Sequence, residues 1–294
     1  MKFVDIKNDV AFRKIFGNAK KSICLISFLN AVLELEGTDR IKSVIFLNPY
    51  LLPRLIHEKS SIIDVRATDQ NNRRFIIEMQ VADKKGFKER VQYYAARDYS
   101  MQIDTGDDYQ KLQATYFIGI LDFSIGRGEN YLSKHLTIEE ETGDNILQDM
   151  KYAFIQLSKF KKKEHELITP TDKWTYFIKN SKNLKVIPDY VDDEGLLIAF
   201  READKYNWGK EDLIDYDNAL MRIQDAKGEK ELAREEGREE GIEVGIVKGE
   251  EKKEKVAVIG LYKNGVPIPI IALSLDIHED KVNEIINEYN NSEQ

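Results

Sequence analysis

Apolar and polar positions recur along this chain with two periods, and the changes of period mark its elements. Residues 8–16 repeat at helical spacing, with Phe12, Ile15 and Phe16 on one face and Gly17 as a stop. A second helix, about Ser22 to Glu34, is apolar over most of its surface, which predicts burial. Ile41 to Leu47 reads as a strand entering the Asn48-Pro49 turn. Ser60 to Ala67 and Arg73 to Val81 read as two more strands, joined by the turn formers Asp69-Gln70-Asn71-Asn72. Gly86 opens a helix to about Ile103, with Phe87, Val91, Tyr94 and Ala95 facing the core, and Leu112 to Phe123 predicts a fully buried strand. Helix, three strands, helix, strand fits an α/β sandwich.

Past residue 125 the pattern changes. Tyr131 to Glu140 and Met150 to Leu157 predict a further hairpin around Gly143-Asp144-Asn145. Amphipathic helices follow at about Thr171 to Asn180, Glu194 to Lys205 and Glu211 to Asp225. Lys227-Gly228 is the expected boundary, giving a domain over 1–227, a connector over 228–255 and a small helical module over 256–294. The connector is charged and carries Gly237, Gly241, Gly245 and Gly249 at intervals of four. Each interior glycine costs a helix about 1 kcal/mol relative to alanine, so a flexible, partly helical connector is favoured over an oligomerising helix. In the last module Ile271, Ala272, Leu275, Ile277, Val282 and Ile285 sit where a helix-turn-helix buries apolar groups. Its second helix offers His278, Glu279, Asp280, Lys281 and Glu284, a set that repels phosphate and favours packing or docking over base reading.

The two central strands each carry one carboxylate in an apolar run: Asp64 after Ile62-Ile63, and Glu78 after Phe75-Ile76-Ile77. A charge there is expensive to desolvate unless it is paired or holds a cation. Side chains alternate along a strand, so Glu78 shares a face with Gln80. An odd loop, Gln70-Asn71-Asn72 closed by Asp69 and Arg73, brings Asp64 opposite Glu78. A two-residue Asn71-Asn72 turn throws the carboxylates onto opposite faces unless a bulge restores the register. Two readings fit the spacing: ion pairs with Arg66, Arg73 or Arg74, or a shared hard cation such as Mg²⁺.

Asp, a hairpin turn, then Glu-x-Gln on the next strand resembles the PD-(D/E)XK nuclease superfamily. Lys7 to Gly17 (KNDVAFRKIFG), Ile77-Glu78-Met79-Gln80, and Arg90-x-x-Tyr93-Tyr94 with Gln102 and Gly106 are similar to the Rpn family of recombination-promoting nucleases, often labelled transposases. The resemblance covers the whole chain, tail included. It implies a PD-(D/E)XK-type mixed-sheet α/β core flanked by helices, followed by a helical C-terminal region. It also implies a Mg²⁺-dependent deoxyribonuclease, with Mn²⁺ as a substitute ion, linked to DNA recombination or transposition. Asp64 and Glu78 are then the metal ligands, with the Met79 carbonyl beside them, and Asp64, Glu78 and Gln80 the catalytic set. The superfamily lysine is Gln80 here, which has no titrating proton but can orient water or a phosphate oxygen. Lys59 or Arg66 is the expected source of positive charge at the phosphorane. Lys88, Arg90 and Arg97 are the expected DNA contacts, with ion pairs to Glu89 or Asp98 as the bland reading of the two arginines. Asp9 is either a further acidic group or a helix N-cap.

Composition changes this picture little. The net charge of −8 argues against nucleic acid over the whole surface, yet lysine and arginine follow the carboxylate hairpin and recur at Lys159, Lys161, Lys162 and Lys163. The single cysteine, Cys24, lies among apolar neighbours and suits a packed thiol in a reducing cytoplasm. No apolar run approaches a membrane span, the N-terminus lacks a signal-peptide core, and the four histidines have no metal-ligand spacing. A second class of function stays open: a catalytically weak or inert DNA-associated protein acting through homo-oligomerisation of its tail.

Overall fold

The first helix, α1 (Asp9–Phe16), begins where Asn8 accepts hydrogen bonds from the backbone N–H groups of Val10 and Ala11 at 3.0 and 3.3 Å. Asn8 is therefore the N-cap, and Asp9 pairs instead with Arg13 one turn on, at 2.7 Å. Ala11, Phe12, Ile15 and Phe16 are buried against α2 (Ile23–Leu33), which ends at Glu34 in the left-handed region. The computed structural model describes residues 1–51 and 61–292. Lys59 and the expected strand start at Ser60 lie outside the described residues.

The next elements are β1 (Val44–Phe46), β2 (Tyr50–Leu51), β3 (Ser61–Ile62), β4 (Val65–Asp69), β5 (Arg74–Gln80), α3 (Phe87–Ser100), β6 (Thr115–Leu121), β7 (Leu132–His135) and β8 (Met150–Gln156). Six strands form one mixed sheet in the order β1-β4-β5-β6-β8-β7, and β2 and β3 pair separately. β5, β6 and β8 run parallel, while β1, β4 and β7 pair antiparallel to their neighbours. The β4–β5 register aligns Val65 with Ile77 and Ala67 with Phe75, the register of the odd loop. Asp69 and Arg73 close that loop, with Asn72 in the left-handed conformation that asparagine tolerates. The strand expected through Ala67 is split, because Ile63 and Asp64 leave the ladder between β3 and β4. The physical reason is local. Ile63 donates to the Pro49 carbonyl, and the Asp64 side chain takes the Met79 N–H.

The sheet is covered on both faces. Val65, Ala67, Phe75, Ile77, Met79, Ile118 and Ile120 pack with α1, α2, α4 (Pro170–Asn180) and α5 (Glu194–Ala203). The other face packs Ile76, Phe117, Leu121 and Phe154 against Phe87, Val91 and Ala95 of α3. β6 is consequently buried along its whole length.

The chain divides into two units after Met221. The helix α6 (Lys210–Lys263) crosses that division and runs unbroken through Lys227-Gly228, where the sequence suggested a boundary. Its residues are mostly strong helix formers, and glycines four apart, at about 1 kcal/mol each, do not interrupt such a run. In the second unit the end of α6, α7 (Ile268–Leu275) and α8 (Glu279–Ser292) enclose Val258, Ile271, Ala272, Val282, Ile285 and Ile286. No helix among the described residues is long and apolar enough to cross a membrane.

Candidate active site

Asp64 and Glu78 meet near the end of β5 because the β4–β5 register, with Val65 opposite Ile77, leaves Asp64 just past the ladder, where its side chain takes the Met79 N–H and its charge acts on Glu78. Asp64 Oδ2 accepts the Met79 N–H at 3.0 Å, and Oδ1 lies 3.4 Å from Arg13 Nε. Burial raises the Asp64 pKa, against the opposing pull of the Met79 N–H and Arg13, and the nearby Asp9 adds to the rise. Glu78 is only 7% exposed. Burial and then the Asp64 charge push its carboxyl up to about 8, with Arg90 opposing. Among the described residues none forms a hydrogen bond or ion pair with the Glu78 carboxylate. Neither Arg73 nor Arg66 neutralises the pair. Arg73 is bound to Asp69 at 2.7 Å.

Arg66, an expected source of positive charge, is itself buried. Its Nε donates to Asp98 Oδ1 at 2.9 Å, and its guanidinium also reaches the Asn48 carbonyl. Packing of α3 on the sheet satisfies that charge away from the carboxylates. Two other cations come near the carboxylates: Arg13 beside Asp64, and Arg90, whose charge opposes the rise at Glu78. Arg90 donates from Nη2 to Gln80 Oε1 at 2.6 Å, its Nε is buried without a hydrogen-bond partner, and its guanidinium lies against the Phe87 and Tyr94 rings. Gln80 also donates from Nε2 to the Ala82 carbonyl at 3.0 Å, so both ends of the amide are held and one N–H remains to donate.

Lys88 is exposed at the start of α3, whereas Arg97 is buried and donates to Tyr93 Oη at 2.7 Å. Burial leaves Arg97 little access to a phosphate, and Asp98, its other expected partner, is bound to Arg66. Of the second lysine cluster, Lys162 binds both Asp172 oxygens at 2.8 Å. Arg13 is the site residue that the strand pattern could not reveal. Its i, i+4 spacing from Asp9 was the available signal, and only the fold brings that turn of α1 to Asp64.

Among the described residues no group of three or more His, Cys, Asp or Glu side chains is arranged to hold a metal ion. The Asp64–Glu78 pair nevertheless suits a hard cation. Its donors are oxygens, its charges are poorly hydrated, and Mg²⁺ characteristically takes one or two carboxylates and keeps waters or phosphate oxygens in its other positions. A carboxylate pair at the end of a mixed sheet, followed by Gln80 and backed by helices on both faces, defines an α/β fold of the PD-(D/E)XK type. The family model for "PD-(D/E)XK nuclease family transposase" matches residues 6–233, and the chain belongs to that family. Comparison with curated proteins and with solved structures found no match.

Proposed function

We propose that this protein is a Mg²⁺-dependent DNA endonuclease serving recombination or transposition, with Asp64, Glu78 and Gln80 as its catalytic set. The observation that carries this reading is the desolvated Asp64–Glu78 pair, which repels itself and whose Glu78 carboxylate lacks a cationic hydrogen-bond donor among the described residues. Asp64 and Glu78 would hold the ion, with Mn²⁺ as a substitute. Bound there, Mg²⁺ supplies Lewis acidity toward water and neutralises charge on the phosphate.

The remaining work belongs to the chain. The Met79 N–H fixes one Asp64 oxygen, and the Arg13 guanidinium lies 3.4 Å from the other. Gln80, clamped between Arg90 and the Ala82 carbonyl, directs its free amide N–H at the attacking water or a phosphate oxygen. Arg90 brings the positive charge that the superfamily lysine supplies elsewhere, and Lys88 meets the DNA backbone.

The test is cleavage of supercoiled plasmid by the full-length protein. Nicked or linear product with Mg²⁺, abolished by chelation and separately by Asp64→Ala and Glu78→Ala, is the expected result. Full activity in a folded Asp64→Ala protein refutes the assignment.

A further inference from the structure

The sheet face under α3 also carries a cavity of about 380 Å³, toward the small end of the ~300–1,000 Å³ range of ligand sites. Phe87 and Val91 of α3, Tyr152 and Phe154 of β8 and His135 of β7 wall it, and Lys88 stands at its rim. The rings pack edge to face: Phe154 lies 5.3 Å from His135 and 6.3 Å from Phe87, centroid to centroid.

Register ties this cavity to the carboxylates. Glu78 is level with Gly119, and Gly119 with Phe154. Phe154 therefore stands two strands away on the same face, roughly 10 Å from Glu78 at about 4.8 Å per strand. The residue between them has no side chain. A Cβ at Gly119 would come within 2.8 Å of Phe154 Cδ1, so the ring lies over that glycine.

We propose that the cavity receives an unstacked base of the nucleic-acid substrate, so that cleavage favours single-stranded or locally melted DNA. This rests on the nuclease reading above. Aromatic walls stack on any base, because every base presents a π-face. Lys88 at the rim meets the negative backbone of the same strand. The separation of ~10 Å equals about three stacked steps of one strand, and fewer once the strand is extended. A base paired in duplex must leave its stack to enter. An acyl chain would match the apolar wall but gives Lys88 and the adjoining carboxylates no role.

The experiment uses the full-length protein in EDTA with single-stranded oligonucleotides carrying 2-aminopurine at successive positions, beside blunt duplexes of the same sequence. Strong quenching at one position, and about tenfold tighter binding of the single strand, are expected. Tyr152→Ala and Leu136→Trp, the latter filling the cavity from its exposed rim, should each remove the quenching and weaken single-strand binding about tenfold, with both variants still folded at the assay temperature in melting curves. Equal affinity for duplex and single strand, or quenching that survives both substitutions, overturns the proposal. Cleavage of the same oligonucleotides with Mg²⁺ separates the two readings. Cutting without localised quenching sinks the base site alone, and quenching without cutting sinks the nuclease assignment alone.

Discussion

Replacing Glu78 by glutamine removes a charge that the fold holds under strain, so the variant should lose activity and gain stability. The Glu78 carboxyl lies at about 8 instead of its ordinary 4.5, and at about 1.4 kcal/mol per tenfold change its ionisation in the fold costs up to roughly 5 kcal/mol. Relaxation of the two carboxylates and water at the open end of the site reduce this to on the order of 2 kcal/mol. Because the folded value is raised, the folded state keeps its full stability below pH 4.5 and loses it as pH climbs toward 8. The amide does not titrate. In EDTA, then, Glu78→Gln and wild type should melt together near pH 4.5, and by pH 8.5 the variant should melt higher by about 4–8 °C. Mg²⁺ should raise the wild-type melting temperature and leave the variant's unchanged, narrowing the gap. Calorimetry across this pH range, with and without Mg²⁺, is the assay. A variant that melts lower than wild type at pH 8.5 in EDTA would show that Glu78 accepts a structural ion pair, and the argument for a cation site would fall.

Three further outcomes follow from the same contacts. Gln80→Ala should reduce turnover by about 10–100-fold while leaving Mg²⁺ affinity nearly intact, since a neutral amide positions groups better than it binds Mg²⁺; isothermal titration beside cleavage rates checks this, and lost metal binding with unchanged DNA affinity would make Gln80 a ligand. Burial alone would raise Asp172, but hydrogen bonds from Lys162, Tyr131 and the Thr169 and Ile168 N–H groups hold it down at about 2. Asp172→Asn should accordingly cost about 1–2 kcal/mol at neutral pH. The deficit should be present above pH 4 and shrink as pH falls toward 2, and a constant deficit in acid melts would contradict the charge argument. Cutting after Lys227 should leave the core melt within about 2 °C of wild type, because Tyr216 and Ala219, the α6 residues buried in the first core, precede the cut; light scattering would show lower mass if the tail assembles copies, and a lost cooperative transition would return the tail to the core.

Local signals in the sequence carried much of the fold. The change from helical to alternating period marks α1, α2, the sheet strands and α3, because each element buries one face and its spacing must match its own geometry. The β4–β5 register was legible only as two alternatives, an odd loop or a two-residue Asn71-Asn72 turn, and the structure has the odd loop, with Val65 opposite Ile77. Tertiary structure decided the neutralisation of charge. Arg66 looked available from its strand position, yet α3 brings Asp98 onto it; Arg90 looked like a surface cation, yet the same helix delivers it to Gln80. Arg13, far away in sequence, reaches Asp64 only after α1 packs against the sheet. Pairing of this kind depends on which long side chains share a desolvated space, and no window of neighbouring residues contains that information. The unbroken α6 follows the reverse logic. Glycines suggested a break, but an exposed run of strong helix formers outweighs their separate costs of about 1 kcal/mol each.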